Sequence, residues 1–189
     1  MSLSILQQLA SRIEQNPGEK GLPPIHAWHP ERVLDIGLGI DAQGRWFHQG
    51  DPFERTALVR LFSTLLRRDA DDEYYLVTPV EKVRVAVAEV PFLIVTADLQ
   101  QTANTPQISL TSNVSDTFLL DADHPLRVVT DEAGQPRPYV RVRDRLEARI
   151  LPQVFYQLVD AAQMVSIKGR NCLQLNSCGC AFVLGELDS

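Results

Sequence analysis

The stretch Trp46–Asp69, "WFHQGDPFERTALVRLFSTLLRRD", decides the fold, because a second stretch, Tyr139–Ala162, "YVRVRDRLEARILPQVFYQLVDAA", repeats its plan. Set side by side from Trp46 and Tyr139, the two match at Asp51 and Asp144, Glu54 and Glu147, Leu58 and Leu151, and Leu61 and Val154. They match again at Phe62 and Phe155, Leu65 and Leu158, and Leu66 and Val159. An acidic residue followed three positions later by Glu, ahead of apolar residues at helical spacing, is the pattern of a capping box. The spacing predicts two helices capped at Asp51 and Asp144. The first has Pro52 at its opening position, and the second runs to about Met164 with a kink at Pro152.

The agreement extends outward from these helices. "IGLGIDAQG" (36–44) and "LRVVTDEAG" (126–134) each place Asp three residues before Gly, between segments of alternating polarity, which is a hairpin signal. "YYLVT", "VRVAV" and "FLIVTA" are rich in β-branched and aromatic residues and read as strands. "QISLTS" and "TFLL" are weaker strands, and "NCLQL" and "CAFVLGEL" close as a hairpin across "NSCG". The expected fold is α+β, made of two related units, each a hairpin, a capped helix and further antiparallel strands. Residues 1–31 are expected to form a lead helix over Ser2–Gln15 and a Pro-rich extended arm that Trp28 pins down. An N-terminal repeat unit then covers 32–88, and a C-terminal repeat unit with extra strands covers 89–189. Neither unit buries both faces of its helix and sheet alone, so the two are expected to pack together.

Composition narrows the classes of function. The chain has 189 residues, of which 44% are hydrophobic and 22% charged, an ordinary globular mixture. No apolar run approaches the length of a membrane helix, and "MSLSILQQLASRIEQ" lacks the basic start and long apolar core of a signal peptide. A cytoplasmic protein with no membrane partner is expected. A net charge of -6 argues against general nucleic-acid binding. Three cysteines, Cys172, Cys178 and Cys180, are not a disulfide framework, and with no nearby His they make no metal site. Of the 18 basic residues 15 are Arg, a balance that leans toward bidentate contacts with carboxylate or phosphate.

The segments "PPIHAW", "RWFHQGDPFER", "LVRLFSTLLRRD", "YYLVTPVEKV", "VPFLIV", "HPLRV" and "VRVRDRLEARILPQVFYQLVD" resemble the bacterial domain of unknown function 1285 family over residues 22 to 185, with "LVTPVEK" the most specific block. The resemblance implies a cytoplasmic protein with a duplicated α+β core whose C-terminal half is loosely pleckstrin-homology-like. It further implies a site for a nucleotide-like ligand between the halves, in a signalling role.

Three constellations could carry chemistry. Arg60 and Arg67 are seven residues apart and, with Thr56 and Ser63, form one stripe of a helix; "TPVEK", with Thr78, Glu81 and Lys82, follows. These groups suit a phosphate or carboxylate, or else they pair with Glu81, Asp69, Asp144 and Glu147 as structural ion pairs. In the second constellation Arg141 and Arg143 share one side of a strand, with Arg149 beyond them and the start of the second helix nearby. The third is Asn113, His124 and Arg127, with His124 held in a turn by the proline after it. The expected ligand-binding set is therefore Arg60, Arg67, Thr78, Glu81, Lys82, Asn113, His124, Arg141, Arg143 and Arg149, with no catalytic residue, no metal and no cofactor.

Enzyme signatures are missing: no G-x-S-x-G, H-E-x-x-H, P-loop or G-x-G-x-x-G occurs, and "GLG" lies within a strand pattern. Glu81 and Lys82 could be cast as acid and base, but neighbours on a strand point opposite ways. The reading is a binding protein for a small anionic, nucleotide-like ligand at the interface of its repeats. The alternatives are a module that binds a protein partner, and an enzyme acting on a nucleotide or phosphate ester.

Overall fold

The computed structural model describes residues 22–101 and 105–187, so the lead helix expected over Ser2–Gln15 lies outside the described residues. The chain divides into two compact units, one ending at Pro91 and the other beginning at Phe92.

In the first unit a 3-10 turn, Ile25–Ala27, precedes β1 (Val33–Ile40), β2 (Trp46–His48), β3 (Asp51–Pro52), α1 (Thr56–Leu65), β4 (Leu66–Arg68), β5 (Tyr74–Val77) and β6 (Lys82–Val87). The strands form one sheet in the order β3-β2-β1-β6-β5-β4. Alternation along the strands sends Leu38, Ile40, Trp46, Leu76, Val83 and Val85 into the core, where α1 adds Phe62 and Leu65. The Trp46 and Phe62 rings lie 6.2 Å apart, and Phe53 meets Phe62 edge-on at 5.8 Å. Burying each of these large side chains contributes about 1.5–3 kcal/mol.

The second unit runs β7 (Phe92–Gln101), β8 (Pro106–Ser112), β9 (Thr117–Leu119), β10 (Leu126–Thr130), β11 (Pro136–Arg143), β12 (Leu146–Ile150), α2 (Pro152–Asp160), β13 (Gln163–Ile167), β14 (Arg170–Ser177) and β15 (Cys180–Glu186). β7 to β12 make a six-stranded sheet in the order β10-β11-β12-β7-β8-β9, and β13-β14-β15 form a meander. The meander joins that sheet at two places. β15 lies alongside β10, while the end of β14 reaches β8, where the Ile108 N–H donates to Ser177 Oγ at 3.0 Å and the Cys178 N–H to Pro106 O at 2.9 Å.

The duplication is visible in this layout. β10, β11, α2, β13, β14 and β15 follow the order of β1, β2, α1, β4, β5 and β6, and β15 lies alongside β10, though without the hydrogen-bonded parallel pairing that joins β6 to β1. The strands β7, β8 and β9 are the addition. Val154, Phe155 and Leu158 are buried on α2 where Leu61, Phe62 and Leu65 lie on α1, although Leu61 is only half-buried. The two hairpin turns match in their hydrogen bonds, with Gly44 (φ +71°) and Gly134 (φ +76°) supplying the left-handed residue that closes each.

Several local expectations are corrected. Neither helix has a side-chain cap: α1 begins after Arg55 and α2 after Leu151. Asp51 and Pro52 form β3, while Asp144 (φ +46°) occupies the two-residue turn between β11 and β12. The expected second capping box is instead a strand, because Leu146, Ala148 and Ile150 alternate into the core and β12 pairs in parallel with β7. Pro152 kinks nothing. It opens α2 at a position whose N–H needs no partner within the helix. The helix also stops at Asp160, and Gln163–Ile167 becomes β13 rather than a helix end. The further strands are largely antiparallel as expected, and two pairs, β1–β6 and β12–β7, are parallel. The Pro-rich arm is not wholly extended, and its buried anchors are Pro23 and Ile25, with Trp28 half-buried.

Candidate functional site

In the first unit, α1 ends at Leu65, so Arg67 sits on β4 and not on the helical stripe with Arg60. Arg67 Nε donates to Asp69 Oδ1 at 2.6 Å, and its Nη1 donates to the carbonyls of Ile25 at 2.6 Å and Trp28 at 2.8 Å, tying the arm to the sheet. Lys82 Nζ reaches the other oxygen of Asp69 at 2.7 Å and lies 4.0 Å from the centre of the Tyr75 ring. Tyr75 in turn donates its hydroxyl to Asp71 at 2.9 Å. Burial pushes the Asp69 pKa up, but the hydrogen bonds and charges of Arg67 and Lys82 outweigh it and hold the carboxyl below its ordinary value. Burial, then the Asp71 carboxylate, raises Tyr75.

The "TPVEK" block is a tight turn between β5 and β6. Thr78 Oγ1 donates to Glu81 O at 2.8 Å and accepts from the Glu81 N–H at 3.1 Å. The Glu81 carboxylate, 11% exposed, lies 3.3 Å from Arg32. Arg67 and Lys82 thus meet on Asp69, while Thr78 bonds the Glu81 backbone across the turn and the Glu81 carboxylate reaches Arg32 instead. The ion-pair alternative describes Arg67 and Lys82, which share Asp69. Arg60 is exposed on α1, and Ser63 is buried with its hydroxyl donated to Arg60 O at 2.7 Å.

The second unit arranges its arginines differently. In the register of β10, β11 and β12, Arg127 faces Tyr139, Tyr139 faces Arg149, and Arg141 faces Glu147. Residues directly opposite share a face, so Arg127, Tyr139, Arg141, Glu147 and Arg149 lie on the side away from buried Val140, Ala148 and Ile150. Arg137, opposite Val129, extends this face. Arg127 grips Glu147 through two bonds of 2.8 and 2.7 Å and covers the Tyr139 ring at 4.5 Å. The hydrogen bonds to Glu147 raise the Arg127 pKa against the opposing effect of burial.

The loop 121–125 folds onto this face. Arg141 Nε donates to Asp123 O at 3.0 Å, and its backbone N–H to Pro125 O at 3.2 Å, while the residue stays exposed. Asp121 Oδ1 accepts the backbone N–H groups of Asp123 and His124 and lies 2.9 Å from His124 Nδ1. Burial raises the Asp121 pKa, but these bonds prevail and lower it. An ionised carboxylate can only accept, which assigns the proton to His124 Nδ1 and leaves Nε2 as the acceptor of the neutral ring. The imidazole stacks on Phe118 with centroids 4.7 Å apart.

The remaining residues of the expected set separate from this group. A slip of register between Arg141 and Arg143 breaks the strand alternation, and Arg143 turns to Asp116 at 3.0 Å and the Phe92 ring at 5.3 Å. Asn113 is structural: its Oδ1 accepts the Leu93 N–H at 3.0 Å and its own N–H bonds Leu93 O at 2.8 Å. Arg141 and Arg149 therefore share one strand face, the loop that carries His124 bonds Arg141 through the Asp123 carbonyl, and Arg143 and Asn113 lie apart.

The chain matches two family models end to end: the N-terminal domain of DUF1285, a domain of unknown function, over residues 23–90, and its C-terminal domain over residues 91–184. The chain belongs to the DUF1285 family. A DUF1285 protein from Silicibacter pomeroyi DSS-3 is 38% identical, with 92% of each chain covered and a TM-score of 0.80. A second, from Shewanella baltica OS155, is 25% identical over 66% of this chain and 91% of its own, with a TM-score of 0.53. No curated protein matches.

In this DUF1285 chain the sequence reading missed Asp121, Phe118 and Tyr139 as companions of the arginines, while Glu147, expected as an ion-pair partner, is one, bound by Arg127. Asp121 was within reach, since an Asp three residues before His124 in "DADHP" is an Asx-turn signal. Phe118 was not, because nothing local foretells that β9 brings it under the imidazole.

Proposed function

We propose that this protein is a binding module for a small anionic, nucleotide-like ligand, and that the outer face of β10–β12 in the C-terminal unit holds it. The observation that carries the reading is the convergence at Arg141. An exposed guanidinium, oriented through Nε by the loop that carries His124, shares its face with Arg149, Arg127 and Arg137 against one carboxylate on the strands, Glu147. A phosphate or carboxylate takes bidentate contacts from such a guanidinium. His124 Nε2, the acceptor in the neutral tautomer whose Nδ1–H faces Asp121, takes a hydrogen bond from a hydroxyl or amino group on the same ligand. The combination of an anionic group and a nearby donor is nucleotide-like, and it supports a regulatory role more than turnover. Three free thiols support a cytoplasmic setting.

The test is a thermal-melting screen against nucleotides, modified nucleotides, sugar phosphates and inorganic phosphate. A ligand at a hundred times its Kd adds about 2.7 kcal/mol. The expected result is a selective upward shift that Arg141→Ala and His124→Phe remove while each variant still melts cooperatively. A shift lost in Arg60→Ala but retained in Arg141→Ala would move the site to the first unit. A flat screen with folded protein would overturn the reading.

A further inference from the structure

We propose that β13 is a self-association edge, through which two copies of this chain pair antiparallel about a two-fold axis at Val165. β13 (Gln163–Ile167) is the end strand of its meander and, among the described residues, pairs only with β14. Strand ends of this kind are normally blunted by brevity, charge or proline. Three of the other end strands obey that rule, and the remaining two, β10 and β15, lie alongside each other. β3 is two residues long and consists of Asp51 and Pro52, β4 carries Arg67 and Arg68, and β9 has only three residues. β13 does not obey it: its five residues, "QMVSI", include no charge and no proline.

The internal duplication sharpens the contrast. β4 is the counterpart of β13, and there Arg67 ties the arm to the strand through the carbonyls of Ile25 and Trp28. Nothing among the described residues performs this service for β13, and Met164 stands 66% exposed on it.

The charges at its two ends select the occupant. Exposed Asp160 ends α2 just before β13, and exposed Lys168 lies in the turn just after it. An antiparallel pair brings the Lys168 end of one copy to the Asp160 end of the other, twice over; a parallel pair would oppose like charges. Two-fold pairing is also the commonest symmetry of soluble dimers. With Val165 on the axis, Met164 lies opposite the partner's Ser166, and both side chains are exposed, so substitutions there leave the fold intact.

The test is sedimentation equilibrium of the full chain over micromolar to high-micromolar concentrations. The wild type is expected to form a reversible dimer. Met164→Lys with Ser166→Lys opposes like charges at both crossings and should weaken it about tenfold or more. Met164→Glu with Ser166→Lys opposes unlike charges at the same positions and should match or exceed the wild type. A wild type that stays monomeric throughout, or two variants that associate equally, would overturn the proposal.

Discussion

Asp131 does in the second hairpin what Asp41 does in the first. In each turn Oδ1 accepts the backbone N–H groups two and four residues on, Gln43 and Arg45 at 2.9 and 2.9 Å or Ala133 and Gln135 at 3.0 and 2.9 Å. Oδ2 takes an arginine Nε, from Arg45 at 2.8 Å or Arg137 at 3.1 Å. Asp41→Ala and Asp131→Ala should each lower the melting temperature. In both turns Asp→Asn should lose less, since its amide oxygen still accepts the two N–H groups. Thermal melts of the four variants check the ranking, and an Asn no better than Ala would show that the arginine pair, not the turn, carries the effect.

Asp69 is the single anion shared by Arg67 and Lys82, with all three side chains at least about five-sixths buried. Asp69→Asn leaves two buried cations facing each other. The expected loss is about 3 kcal/mol, read from urea unfolding. Lys82→Met, which keeps the contact with the Tyr75 ring and leaves the Arg67–Asp69 pair, should cost clearly less.

Acid should destabilise the protein in a definite window. Asp41, Asp69, Asp71, Asp121 and Asp131 all have folded pKa values below the ordinary 3.8. The unfolded chain therefore binds protons first as pH falls. Their contribution is complete above the ordinary carboxylate value and disappears as pH drops through the lowered folded values. Melting temperature against pH should fall steeply on the acid side of this range, and Asp69→Asn should make that limb shallower.

Pro152→Ala tests the opening of α2. Because proline holds the first helical position, where no N–H partner is lost, the change should be small, about 1 kcal/mol or less. A kink-forming proline inside a helix would instead yield a marked gain on replacement, since interior proline costs about 3 kcal/mol. The sign and size of the shift in the denaturation midpoint separate the two.

Much of the fold was legible because it is written in short-range chemistry. The paired "DAQG" and "DEAG" turns need only five consecutive residues each, and the buried pair Phe62 and Leu65 needs only one helix. β12 was not legible for the opposite reason. "LEARI" is made largely of good helix formers, and its period-two burial is enforced by pairing with β7, more than forty residues away, where Ala148 meets Phe92 and Ile150 meets Ile94. The proline rule that marked the arm as non-helical applied equally to Leu151, which is extended at ψ 149°. At the candidate site, Arg141 was visible and Arg67 misled. Seven-residue spacing from Arg60 places Arg67 on a common stripe only if the helix reaches it, and α1 has ended by then.

The parallel pairs β1–β6 and β12–β7 also order events during synthesis. Each joins an early strand of its unit to a late one: β6 is the last strand made in the first unit, and β12 comes three strands after β9 in the second. Loop-closure entropy must be met before such contacts stabilise anything. A ribosome that has made only β1 and β2 has left β1 open along the edge β6 will occupy, and one that has made β7, β8 and β9 has left β7 open where β12 will dock. The first unit can close as soon as Val87 is clear of the ribosome, before most of the second exists. The second must wait for β12, so β7, with Phe92 and Ile94 on it, is the strand for which a chaperone has the longest time to compete.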